Sequence, residues 1–250
     1  MRFTILGSCS GTEAMPGRRH TALLLEVGDQ LYQFDAGDSC GYTAHLLGFD
    51  VTGITALFIT HPHIDHVGGF PYLLFEINKL HARHGTKNSS PLKLFSPSPD
   101  LLTAAALLGN SAIAENAVYH EVKDGPVYED AHIRVTARHN AHLGEREAPW
   151  HAFSSRIEAE GKTVILSGDI GDISELDCWS DCDLMFLENG HHDPAHSAAH
   201  LAALKAHPKR LVFYHHGRKM LACPAACTAE AASLYPGEVI CAEDAMQITL

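Results

Sequence analysis

Apolar residues recur in short runs along the chain, and their spacing predicts alternating strands and helices. "RFTILG" (2–7), "TALLLEV" (21–27) and "QLYQFDAG" (30–37) read as strands separated by turn residues. Gly28-Asp29, between the last two, marks a hairpin tip. "YTAHLLGF" reads as a short helix and "ITALFIT" (54–60) as a buried strand. From His66 to His84, apolar positions at Val67, Phe70, Leu73, Leu74 and Ile77 fit a helical period, with Gly68, Gly69 and Pro71 near its start. "GTKNSSP" (85–91) is a loop, "LKLFS" a strand, and "PDLLTAAALLGN" a helix ended by Gly109-Asn110.

The second half keeps the rhythm. "HIRVTAR" (132–138), "FSSRIEAE" (153–160) and "KTVILSGD" (162–169) read as strands, with a hairpin turn at Gly161. "CDLMFLEN" (182–189) and "RLVFYHH" (210–216) are apolar enough for buried strands. "SAAHLAALKAH" (197–207) is a helix, and a last helix near 228–235 precedes short strands near 239 and 247. No linker, low-complexity segment or repeat interrupts residues 1–250, so the expectation is a single α/β domain. Its mixed strand–helix order suggests two sheets back to back with helices outside.

Composition narrows the class. An apolar fraction of 46% over 250 residues is ordinary for a globular chain with a substantial core. No run reaches the roughly 18 apolar residues of a membrane helix. The N-terminus reads as a first strand, not a signal peptide. Seven cysteines without a CxxC pair fit reduced thiols and a cytoplasmic protein better than a disulfide framework. A net charge of −12, from 18 basic and 30 acidic residues, argues against a long nucleic-acid partner. The unusual count is 19 histidines.

Three of these histidines and an aspartate crowd into "THPHIDHVGG" (60–69), where a predicted strand stops. In extended chain, residues i and i+2 point the same way, so His61 and His63 can face one point. Asp65 and His66 follow where the chain turns into a helix, and can face a second point nearby. That arrangement suggests two metal ions, and the donors suit zinc, iron or manganese better than calcium or magnesium. Other strand ends can supply further ligands: His139 and His142 after "IRVTAR", Asp169 after "TVILSG", and His215 and His216 in "RLVFYHH". Asp169 is placed to bridge two cations through its two oxygens.

These pieces resemble the metallo-β-lactamase superfamily, in its ribonuclease Z and phosphodiesterase branch. "FTILGSCSG", "GRRHTALLLEV", "FDAGDS", "THPHIDHVGG", "VTARHNAH", "SRIEAEGKTVILSGD", "LMFLENG", "AHSA" and "RLVFYHH" match in family order over nearly the whole chain. The resemblance implies the metallo-β-lactamase fold, an αββα sandwich of two mixed sheets flanked by helices, with its site along one sheet edge. It gives one metal His61, His63 and His142, and the other Asp65, His66 and His215. It also implies that Asp169 and a water or hydroxide would bridge the two. It selects His142 over His139 by distance from the "VTA" triplet, and His215 over His216 as the first residue after the apolar run. The implied cofactors are two divalent transition-metal ions, zinc first, with manganese or iron as alternatives.

The implied reaction is phosphodiester hydrolysis by the bridging hydroxide, with Asp65, Glu188 and His196 as catalytic residues. His196 would donate a proton to the leaving oxygen, with Glu188 anchoring it and Ser197 capping a helix that begins at Ala198. Asp35 would orient a ligating histidine from behind. Departures from ribonuclease Z restrict the substrate. Its Gly- and Pro-rich tRNA arm and basic loop are not visible, residues 85–130 read as a compact strand and helix, and His-Ser-Thr appears as His196-Ser197-Ala198. The expected partner is therefore a small anionic substrate, a small or cyclic phosphodiester, with no membrane and compatibly with a homodimer. Alternatives are a thioester or lactone hydrolase, a ribonuclease Z-type endonuclease, and a metal-binding interaction protein without turnover. Asp38 reads as turn chemistry or support for the site, and His191 and His192 as exposed loop residues or pocket lining. Arg18, Arg19 and His20 read as solvated charge before groups that meet a phosphate near the pocket, and Trp150 with His151 as a wall of the site.

Overall fold

The computed structural model of the protein describes residues 1–86, 90–109 and 114–250. One sheet holds β1 (Arg2–Gly7), β2 (Ala22–Val27), β3 (Gln30–Phe34), β4 (Ile54–Phe58), β5 (Leu92–Ser96), β6 (Ala117–Glu121) and β14 (Gln247–Thr249). Its order is β14-β1-β2-β3-β4-β5-β6. The other holds β7 (Gly125–Glu129), β8 (Arg134–His139), β9 (Phe153–Ala159), β10 (Lys162–Leu166), β11 (Leu184–Asn189), β12 (Arg210–His216) and β13 (Glu238–Cys241). Its order is β13-β12-β11-β10-β9-β8-β7. Both sheets mix parallel and antiparallel pairs.

Period-two alternation explains the continuous apolar runs. Phe3, Ile5, Leu23 and Leu25 point into the core between the sheets, where they meet Phe186 and Tyr214. Leu6 and Leu24 point outward onto a helical layer. That layer comprises α1 (Cys40–Leu46), α2 (Ile64–Val67), α3 (Phe70–His84) and α4 (Asp100–Gly109). Leu73, Leu74 and Ile77 of α3 fill it. On the far side lie α5 (Pro194–Ala202), α6 (Arg218–Ala222) and α7 (Pro224–Leu234). Ala198, Leu201 and Ala231 there pack on Ile165, Leu187 and Phe213. The architecture is the αββα sandwich that the sequence led us to expect.

Several boundaries differ from the sequence reading. The helix expected over 66–84 is two helices, broken at Gly68-Gly69. Gly69 donates to the Ala36 carbonyl, and a Cβ at Gly69 would fall 2.2 Å from the Gly37 carbonyl oxygen. The chain crosses there too closely for any side chain. The helix expected from Ser197 begins at Pro194, because the Asp193 carboxylate caps it by accepting from Ala195 N and His196 N. The last helix starts at Pro224, after the one-turn α6. Strands β6 and β7 complete the sheet edges where a strand and a helix alone were expected. Part of the expected 85–91 loop, residues 87–89, and Asn110 of the expected helix end lie outside the described residues. The hairpins appear as expected, Val27 pairing with Gln30 across Gly28-Asp29, with Gly28 at φ 60°.

Candidate metal centre

Strand ends of both sheets meet at one rim. His61 and His63 follow β4, Asp65 and His66 lie in α2, His142 follows β8, Asp169 follows β10, and His215 lies near the end of β12. His61, His63, His142 and Asp169 offer ligand atoms to one point, and Asp65, His66 and His215 to another. The His61 and His142 rings lie 4.8 Å apart, and the His66 and His215 rings also 4.8 Å apart. Asp169 reaches both groups. Its Oδ2 is 3.7 Å from His61 Nε2, 3.7 Å from His142 Nε2 and 3.1 Å from His215 Nε2, and its Oδ1 is 3.4 Å from His66 Nε2. Asp65 Oδ2 lies 3.6 Å from His66 Nε2 and 3.9 Å from His215 Nε2.

The surroundings fix which ring nitrogen is free. His66 Nδ1 donates to Asp35 Oδ2 at 2.8 Å, leaving its Nε2 lone pair toward the centre. The Thr21 hydroxyl spends its one proton on the Cys9 carbonyl, so at 2.7 Å it accepts from His215 Nδ1. Thr60 repeats the device: its hydroxyl donates to Asp35 and accepts from His61 Nδ1 at 3.1 Å. His61 Nε2, His66 Nε2, His215 Nε2 and Asp169 Oδ1 are then buried without a hydrogen-bond partner. Each such orphan costs about 1–3 kcal/mol if left unmet. Four converging orphans fit two resident cations.

Backbone geometry adds strain at the same place. His215 has φ 51° at a bulge where Glu188 pairs with Tyr214 and Asn189 with His216. The bulge turns the His215 ring into the centre. Asp35 has φ 57°. Such left-handed non-glycine residues cost on the order of 1–3 kcal/mol each and collect at functional sites.

Charge follows the arrangement. Burial pushes the Asp169 carboxyl up, but the flanking His215 and His66 outweigh it and hold it well below the usual range. With no cation between them, burial opposes charge on His66, yet Asp169 and Asp35 raise its pKa well above normal, so a cation at Nε2 would displace a proton there. Burial depresses His61 and His142.

The structure brings only one member of each alternative pair into the cluster. His142 Nε2 lies 3.2 Å from His63 Nδ1, whereas His139 turns away to donate to Asp124 and stack on Trp150 at 4.0 Å. His216 donates from Nε2 to the Ala242 carbonyl at 2.7 Å, and burial lowers its pKa to about 4. The expected pairing of Glu188 with His196 is not formed. The early start of α5 places His196 inside its first turn, exposed, with its backbone N–H on Asp193. Buried Glu188 instead accepts from His191 N at 2.9 Å and His191 Nδ1 at 3.2 Å. His191 lies 3.7 Å from Asp169, and the hydrogen bond to Glu188 raises its pKa. His192 Nε2 donates to the Ile170 carbonyl.

A cavity of about 480 Å³ opens over the cluster, lined by Ser10, Thr12, Asp65, His191, His215 and Arg218 among others. Trp150 lines a separate cavity, and His151 bonds Glu145. Arg18 bonds Ser8 and the Ala242 carbonyl, and Asp38 lies exposed beside Arg18 and His20 in a smaller pocket. Sequence reasoning missed Thr21, Arg218 and Glu175. The Glu175 carboxylate accepts from Ala141 N at 2.9 Å and Gly171 N at 3.0 Å, clamping the loops of His142 and Asp169 together. Their roles depend on which loops meet, and spacing does not encode that.

The sequence profile of the family described as "Anti-Pycsar protein Apyc1" matches residues 1–226. A ribonuclease Z of Methanothermobacter thermautotrophicus is 28% identical over 144 residues, 57% of this chain and 45% of that relative. The chain thus aligns with less than half of that relative's length. The metallo-β-lactamase fold protein YhfI from Bacillus subtilis superposes with a TM-score of 0.80 at 18% identity, covering 99% of this chain and 98% of that one. A diphosphatase from the PhnP family gives 0.69 at 17% identity, covering 100% and 97%. The fold is therefore the metallo-β-lactamase fold.

Proposed function

The chain belongs to the Anti-Pycsar protein Apyc1 family, and from that premise we propose that it is a metal-dependent hydrolase of small or cyclic phosphodiesters. The observation that carries this reading is the set of four buried, partnerless ligand atoms, three imidazole nitrogens and an Asp169 oxygen, converging on two adjacent points. His61, His63 and His142 would hold one cation, Asp65, His66 and His215 the other, and Asp169 both. Imidazole and carboxylate donors suit zinc first, then manganese or iron. Bound there, two cations supply Lewis acidity to phosphoryl oxygens and bring the pKa of water near neutrality.

The chain's own groups divide the remaining work. Asp35, Thr60 and Thr21 hold the ligating rings in one tautomer. Glu188 holds His191 at the cavity wall, where its ring can pass a proton to a departing alkoxide. In this reading His191 takes the role that the resemblance implied for His196. Arg218 offers the wall a cation beside Glu13, at 2.9 Å. A cavity of about 480 Å³ in a chain of net charge −12 favours a small anion over a long polyanion.

One substrate panel tests the reading on metal-loaded protein. Bis(p-nitrophenyl) phosphate and a cyclic nucleotide should turn over, while a thioester, a lactone and precursor tRNA should be poor substrates. Efficient site-specific tRNA cleavage at physiological salt, or a carbonyl substrate preferred over both diesters, would overturn it.

A further inference from the structure

The metal centre leaves one close pair of thiols unused. Cys223 stands at the junction of α6 and α7, and Cys227 lies one turn into α7. Their sulfurs are 3.5 Å apart. We propose that Cys223 and Cys227 are a reactive dithiol, at which a low-molecular-weight disulfide such as oxidised glutathione closes an intramolecular disulfide in the folded protein.

Spacing alone argues against this. Residues i and i+4 of a regular helix have Cβ atoms about 5–6 Å apart, whereas a disulfide needs about 3.5–4.5 Å. Cys223 escapes the regular spacing. Its backbone sits at φ −146° and ψ 62°, outside the helix, and it makes no side-chain cap bond. The Cys227 N–H still donates to the Cys223 carbonyl at 3.0 Å, so the turn itself is intact. Both sulfurs also face the Lys219 carbonyl, at 3.4 and 3.7 Å, which gathers them on one side of the junction. Closing from 3.5 Å to the roughly 2.05 Å of an S–S bond then falls mainly to side-chain rotation at an exposed residue.

Exposure sets the order of events. Cys223 is exposed and Cys227 buried. Burial and the Cys223 sulfur push the Cys227 thiol up. Cys223 as thiolate therefore attacks the small disulfide, breaking its S–S bond and releasing one small thiol. Cys227 then loses its proton, attacks the Cys223 sulfur of the mixed disulfide, and releases the second small thiol. Two protein thiols are oxidised and one small disulfide is reduced to two thiols. The site is joined to the metal centre by one short helix, since Gly217 and Arg218 line the cavity and Lys219 pairs with Asp193, the cap of α5.

The test is covalent and independent of hydrolysis. Native protein is incubated with oxidised glutathione, then examined by thiol titration, intact mass and peptide mapping. The exposed Cys178, whose sulfur meets Arg138, is the internal comparison. We expect loss of two thiols, a mass lower by two hydrogens, and one linked peptide pair containing Cys223 and Cys227. Cys227→Ser should instead accumulate glutathione on Cys223, because the resolving sulfur is gone. A stable glutathione adduct on Cys223 in the unsubstituted protein, or modification of Cys178 with Cys223 and Cys227 left free, would overturn the proposal.

Discussion

His191 and His196 show how much depends on one side chain's placement. His191 is gripped by buried Glu188 and borders Asp169, while His196 points to solvent from the first turn of α5. A proton donor matters only for a basic leaving group. His191→Ala should therefore slow an alkyl or nucleoside diester by about 100-fold. It should slow a p-nitrophenyl diester much less, since p-nitrophenolate leaves without a proton. His196→Ala should leave both rates near the starting value. Steady-state kinetics on both substrates decides, and equal losses on both for His191→Ala would reassign it to binding. The resemblance pointed to His196, and the sequence left His191 as an exposed loop residue or pocket lining. Ser197 was the expected N-cap, but Asp193 takes that place because its carboxylate reaches two N–H groups. The i, i+2 placement of His61 and His63 was legible because it needs only extended backbone. The bulge that aims His215 was not, because it arises from pairing between two distant strands.

At the scale of elements, the rim is held by carboxylates that join separate segments. Glu175 ties the loop after β8 to the loop after β10 through Ala141 and Gly171. Glu175→Ala frees both loops, and metal affinity should fall about 10- to 100-fold, as for other residues supporting ligands. Activity should return at higher added metal. Competition with a chromogenic chelator measures it, and unchanged affinity would remove Glu175 from this role.

Asp130 joins the two sheets in the same manner, accepting from Tyr32 of β3 at 2.6 Å and Tyr128 of β7 at 2.8 Å. Partial burial pushes its carboxyl up, but the Tyr32 hydroxyl and the backbone N–H groups of Ile133 and His132 outweigh this and lower it to about 2. A depressed folded pKa gives stability that is present above the ordinary value of 3.8 and is lost as pH falls through about 2. The group is largely solvated, so the gain is about 1 kcal/mol or less. Denaturant unfolding should show Asp130→Asn less stable near neutrality, with the gap narrowing as pH falls below 3.8 and closed at about 2. A gap independent of pH would contradict this. Pairings of this kind lie beyond sequence periodicity. So do the short strands β6 and β7, whose partly exposed residues give little of the apolar signal that marked the central strands.

The whole molecule joins an acidic exterior to a histidine-rich rim. Among the described residues, two seven-stranded sheets bring distant strand ends to one edge, which a continuous core between them keeps in register. Among the described residues no helix is long and apolar enough to cross a membrane. The layering was legible because buried strands here are apolar on both faces and so differ from the amphipathic helix α3. The central claim concerns what the rim holds. The most direct test is elemental analysis of protein purified without chelator, supplemented with zinc or manganese and then freed of loose metal by gel filtration. Seven converging ligands predict about two transition-metal ions per chain, falling in Asp169→Ala. Less than about one ion per chain after supplementation, or a full complement in Asp169→Ala, would contradict the dinuclear centre.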